Sequence, residues 1–147
     1  MGLDMYLTGK SYLSQYHDVS KEQSESIAAI INSPFPVEGV VISLGYWRKA
    51  NAIHQWFVTN VQNGEDDCGY YSVSQEHLET LLETVNAVLK DHSKAAELLP
   101  TQGGFFFGGT AYDDFYFQVL EDTKQIIKKV LDSDVQREYD IEYHASW

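Results

Sequence analysis

The sequence predicts an α+β domain: an antiparallel or mixed sheet of about five strands with about four helices packed on it. Three features of the chain point there. Strict alternation of apolar and polar residues stands near both ends, in "LDMYLT" and "REYDIEYHASW", which marks strands with one buried face. Between them lie long stretches with apolar residues three and four apart, which marks amphipathic helices. Strands and helices do not follow the strict βαβ order that builds a parallel sheet.

In the first strand Leu3, Met5 and Leu7 share one side, and Asp4, Tyr6 and Thr8 the other. "SKEQSESIAAIIN" then opens with Ser20 and carries Gln23 three residues on, a capping-box start. Ile27, Ile30 and Ile31 form its apolar stripe, and Pro34 and Pro36 end the helix. "GVVISLGYW" is β-branched and aromatic enough for a central strand. The next helix is expected to follow at once, from Trp47 to about Val61. "NGEDDCG" is a polar turn and "YYSV" a short strand.

Ser74 caps a long helix with Leu78, Leu81, Leu82, Val85 and Leu89 on one face. Pro100 and "QGG" break the chain, and "FFF" is a short strand or an aromatic loop anchor. Asp113 and Asp114 stand at the positive end of the next helix. That helix runs to about Leu131 with Tyr116, Leu120, Ile127 and Val130 among its inward residues. In the last strand Tyr139, Ile141, Tyr143, Ala145 and Trp147 face one way, and Glu138, Asp140, Glu142 and His144 the other. Trp147 is expected to pack against the core or a second subunit, near the "FFF" anchor.

The 147 residues suit one domain over 1–147, with no repeat, linker or low-complexity tract. No apolar run approaches the ~20 residues of a membrane span, and "MGLDMYLTGK" has neither a secretory nor a myristoylation pattern. With Cys68 as its one cysteine, the chain fits a reducing cytoplasm. The net charge of -12 repels phosphate backbones, so neither free nucleic acid nor a membrane is an expected partner.

The segment "GYWRKANAIHQWF" gathers two Trp, one of the two Arg of the chain, Asn51, His54 and Gln55. On a wheel of about 100° per residue, Ala50, Ile53, Phe57 and Val61 form the core stripe. Arg48, Asn51, His54 and Gln55 then make a polar strip along its boundary, with Trp47 at the start and Lys49, Trp56 and Asn60 opposite. Such a strip either satisfies buried polar groups or forms a pocket at the helix N-terminus. Free backbone N–H groups there favour an anion, Arg48 adds a planar donor fork, Trp47 or Tyr46 stacks on a ring, and Asn51, His54 and Gln55 read its edges.

Other chemistry has less support. "GGFFFGGT" has phosphate-loop glycine spacing, but Gly109 stands where the Lys belongs. Those glycines read as punctuation around an aromatic anchor, or as a hinged loop that closes on a ligand. The five His are dispersed, so no metal site and no cofactor are expected. "YDDFYF" holds adjacent carboxylates that read as helix caps, and Cys68 with His54 is the one nucleophile–base pair to consider.

"MGLDMYL", "YWRKANAIHQWFV" and "LPTQGGFFFGGTAYDDFYF" together resemble a group of small proteins encoded by bacteriophages, prophages and their bacterial hosts. The resemblance implies a small accessory protein of phage origin acting in the host cytoplasm. By analogy, such a protein captures a nucleotide-derived defence signal or covers the binding surface of a defence protein. The first expectation is therefore a non-catalytic binding protein for a small anionic, ring-bearing ligand, held by Tyr46, Trp47, Arg48, Asn51, His54 and Gln55. Two alternatives stand beside it: an acidic inhibitor that imitates nucleic acid and blocks a basic host protein, and a small hydrolase of a phosphorylated ligand with His54 as acid or base. A homodimer is a further expectation.

Overall fold

The computed structural model describes residues 2–147. It is an α+β domain with a four-stranded antiparallel sheet in the order β2-β1-β4-β3 and five helices packed on it. The strands are β1 (Asp4–Tyr12), β2 (Gly39–Arg48), β3 (Tyr70–Ser72) and β4 (Asp140–Ser146). The helices are α1 (Asp18–Ile30), α2 (Asn51–Asn60), α3 (Gln75–Lys90), α4 (Ala95–Leu98) and α5 (Asp114–Asp132).

The alternating end strands meet at the centre. β1 pairs with β4 from Asp4↔Ser146 to Lys10↔Asp140, and with β2 on its other side. Leu3, Met5 and Leu7 of the first stretch and Ile141, Tyr143 and Ala145 of the last are buried together under α2, α3 and α5. Each buried side chain of this size contributes roughly 1.5–3 kcal/mol. Ser74 forms the capping box of α3 with His77, and Asp113 caps α5 by accepting from the Tyr116 N–H.

Several expectations are corrected. "GVVISLGYW" is an edge strand, because β1 and β4 occupy the centre. The described residues form four strands: Phe105 and Phe106 lie in a turn and only Phe107 is buried, so of the two readings of "FFF" the loop anchor is the one that holds. Helix α1 begins at Asp18, so Ser20 lies inside it and caps nothing. Its buried residues are Ser24 and Ala28, while Ile30 and Ile31 are exposed. Ser24 prevails over the isoleucines because its hydroxyl ties the helix to the main chain of Val37, donating to the carbonyl at 2.7 Å and accepting from the N–H at 2.9 Å.

The helix after β2 does not start at Trp47. Strand β2 continues to Arg48, and Lys49 then turns the chain in the left-handed region (φ 56) before α2 begins at Asn51. Helix α2 is buried nearly all round, including Trp56, which the wheel had placed away from the core. The 102–109 segment and the 61–69 turn cover what a wheel shows as its polar sides.

Candidate functional site

The residues singled out in "GYWRKANAIHQWF" do not converge. Alternation along β2 sends Trp47 into the core and its neighbours Tyr46 and Arg48 to the face of the sheet that carries no helix. The Trp47 indole N–H donates to the Thr123 hydroxyl at 2.9 Å, tying β2 to α5. Asn51, at the start of α2, is a clamp. Its amide donates to the carbonyls of Phe107 (3.1 Å) and Gly109 (2.9 Å), and its carbonyl accepts from the Gln102 N–H (3.0 Å). Gly108 permits the loop's close approach: its φ is +92, and a Cβ there would stand 3.0 Å from the Lys49 side chain. The loop thus occupies the place where an anion was expected. The cavity left at this helix end measures about 20 Å³, room for no more than one water. Gln55 bonds to Thr59 on the helix's own surface.

His54 is fully buried and has both ring nitrogens engaged. Nδ1 lies 2.7 Å from the Tyr143 hydroxyl, and Nε2 lies 3.0 Å from Oδ1 of Asp66. Burial, opposed by the Asp66 charge, lowers the histidine pKa below its ordinary 6.5. The neutral ring then donates from Nε2 to the carboxylate and accepts at Nδ1 from Tyr143, whose own pKa burial pushes well above 10. Asp66 Oδ1 also accepts from the Trp147 indole at 3.0 Å. Trp147 sets an edge against Phe107 with ring centres 6.0 Å apart, beside the "FFF" anchor as expected, and it stays 49% exposed. In this conformation His54 offers no free nitrogen to a ligand or a reaction.

What the two exposed residues Tyr46 and Arg48 join is a row of rings. Register pairs Tyr46 with Tyr6, Tyr6 with His144, and His144 with Tyr70. One ring from each strand therefore stands in a single line across the open face. Successive ring centres are 5.5, 5.9 and 4.2 Å apart, and the last two pairs are near-parallel. Tyr6, Tyr46 and Tyr70 are 38, 48 and 68% exposed. A basin of about 550 Å³ lies against the Tyr6–His144–Tyr70 part of this row, lined also by Thr8, Lys10, Val41 and Glu142 among others, while Tyr46 and Arg48 stand outside it.

Two ion pairs stand on this face, and Asp140, opposite Lys10 in the register, adds a third acid. Arg48 lies 3.3 Å from Asp4, and Lys10 lies 3.8 Å from Glu142. The Tyr46 hydroxyl donates a short bond to Asp4, which raises the tyrosine pKa. Such exposed pairs are worth only about 0–1 kcal/mol, so either cation can turn to a ligand anion at small cost. Tyr6, Tyr70 and His144 were missed by the sequence reading. Alternation had put Tyr6 and His144 on the polar sides of their strands, but lining them up required the strand order.

Elsewhere, no His, Cys, Asp or Glu group that could hold a metal ion occurs among the described residues. No helix among them is long and apolar enough to cross a membrane. Acidic side chains are spread over α1, α3, α5 and the turn at 65–67. Compared with protein-family models, with curated proteins and with solved structures, the chain matches none.

Proposed function

We propose that the protein is a non-catalytic binding protein that captures a small, ring-bearing anionic ligand, such as a nucleotide-derived signal, on the open face of its sheet. The observation that carries this reading is the row Tyr46–Tyr6–His144–Tyr70, which leaves three tyrosines exposed in one line. A solvent-facing line of rings has no role in the core, and aromatic faces give planar ligands about 1–3 kcal/mol per stacked ring. Arg48 stands next to the Tyr46 end of the row and presents a planar donor fork to a phosphate or carboxylate. The net charge of -12 disfavours a long polyanion and favours a ligand with few charges. With both nitrogens of His54 engaged, capture without turnover is the simpler chemistry. The place of action in this reading is the cytoplasm of a bacterial host.

Isothermal titration of the protein against a panel of mono-, di- and cyclic nucleotides tests it. At least one member should bind, and Tyr6→Ala and Arg48→Ala should each weaken that binding about tenfold or more. Circular dichroism checks that both variants remain folded. The absence of heat with every member, or binding that ignores both substitutions, sinks the reading.

A further inference from the structure

Beside the row of rings, the open face carries a second row. At the next outward position of each strand, the register pairs Thr8 with Glu142 and Glu142 with Ser72. Glu142 stands two residues from His144, about 7 Å along the strand, and both line the basin. The Glu142 side chain is 25% exposed and accepts no hydrogen bond from any described residue. Its one partner is Lys10, whose Nζ lies 3.8 Å from Oε2, which leaves Oε1 unengaged. The other acids of this face differ. Asp4 already accepts from the Tyr46 hydroxyl and from Arg48, and neither Asp4 nor Asp140 lines the basin.

We infer that Glu142 selects the ligand of this face by accepting from two adjacent hydrogen-bond donors on it. The inference rests on the capture proposed above and narrows what is captured. An ionised carboxylate only accepts, and its two oxygens suit two donors side by side. Its charge opposes any anion in the basin, so a ligand that hydrogen-bonds to it is the kind that offsets the repulsion. A guanine ring carries such a donor pair in its ring N–H and adjacent amino group, and a ribose carries one in its cis-diol. An adenine edge sets a bare ring nitrogen beside its amino group, and that lone pair is repelled by the carboxylate.

Titration calorimetry of the full chain with guanosine, inosine, adenosine and deoxyguanosine monophosphates tests this. Inosine lacks the amino donor and deoxyguanosine lacks one hydroxyl of the diol, so the two sources are told apart. Guanosine monophosphate should bind, and one of these two deletions should weaken binding about tenfold or more. Adenosine monophosphate should bind weakly if the base edge is held, and as well as guanosine monophosphate if the diol is. Glu142→Gln should weaken guanosine monophosphate by a similar factor and erase the discrimination. The sign is decisive, because removing a negative charge by itself strengthens the binding of an anion. Circular dichroism checks that the variant folds, and the comparison of ligands on the wild type needs no variant. Equal binding of all four overturns the inference. So does a Glu142→Gln variant whose affinity is unchanged or raised while Tyr6→Ala lowers it, and that result leaves the binding face standing. If none of the four binds, the inference falls, and the wider nucleotide panel decides the face separately.

Discussion

Replacing His54 with alanine removes a group that joins α2, β4 and the 61–69 turn at the centre of the protein. The side chain is fully buried and makes two hydrogen bonds, with an edge contact to Phe107 at 5.5 Å. Three losses follow. The missing ring leaves a cavity, which for large-to-small core changes costs about 2–5 kcal/mol. The Tyr143 hydroxyl is left buried without an acceptor, a further penalty of about 1–3 kcal/mol. Asp66 loses little, because it keeps the Trp147 bond and its side chain is 31% exposed. Allowing for partial collapse, the expected loss is about 3–5 kcal/mol, read by urea unfolding with tryptophan fluorescence. Adding Tyr143→Phe removes the orphaned hydroxyl, so the double variant should be about 1–2 kcal/mol more stable than the two single losses summed. The pH dependence has a definite sign. The histidine pKa is lower folded than its ordinary 6.5, so the unfolded chain binds more protons on the acid side. The stabilisation is complete above 6.5 and is lost as pH falls from there toward the folded value. A loss under about 1 kcal/mol, strict additivity of the pair, or a His54→Ala variant with unchanged stability between pH 7 and 5 relative to wild type, would refute this account of the centre.

Deleting Ala145–Trp147 removes the last two pairings of β4 with β1 and the Trp147–Asp66 bond. The melting temperature should fall by several degrees, and an unchanged melt would show that the terminus is not tied down. Asn51→Ala breaks three hydrogen bonds to the 102–109 loop, one buried and two part-buried, so about 2–4 kcal/mol of stability should go. Amide exchange in that loop should rise more than in α3, and uniform exchange across both would refute the clamp. Tyr143 and Tyr116 have pKa values raised by burial, so the unfolded chain ionises first in base. Their contribution is whole below pH 10 and falls as pH rises beyond it, which an alkaline titration of the unfolding midpoint reads.

Local periodicity carried most of the fold. The end strands, α3 with its Ser74 cap and α5 with its Asp113 cap were legible because alternation, 3.6-residue stripes and caps are local signals. One failure was local, the Ser20 capping box that lies inside α1; the others were tertiary. Nothing between Trp47 and Lys49 marks the left-handed turn that separates β2 from α2, so one helix was read where a strand and a helix meet. A helix buried nearly all round breaks the premise of the wheel, which assumes one broad solvent face. Asn51 and His54 were rightly suspected of unusual surroundings, and the alternative that they satisfy buried polar groups is the one the geometry supports. Tyr6, Tyr70 and His144 come from strands separated by most of the chain, so their alignment follows from sheet order, which no local pattern encodes.

That alignment also bears on why an acidic protein would hold an anion at all. Most of its surface repels one, with Asp and Glu on the helices and turns alike. On the open face the balance differs locally. Asp4 is met by Arg48 and Glu142 by Lys10, which also stands opposite Asp140, on either side of the row of rings. Beyond about one Debye length, roughly 8 Å in physiological salt, the remaining acids are screened. On the proposed reading, a ligand on the row would meet two cations that weak exposed pairs release readily, set among three acids. In the proposed capture, the rings would supply the binding energy and Arg48 the orientation, while the acids elsewhere would keep long polyanions away.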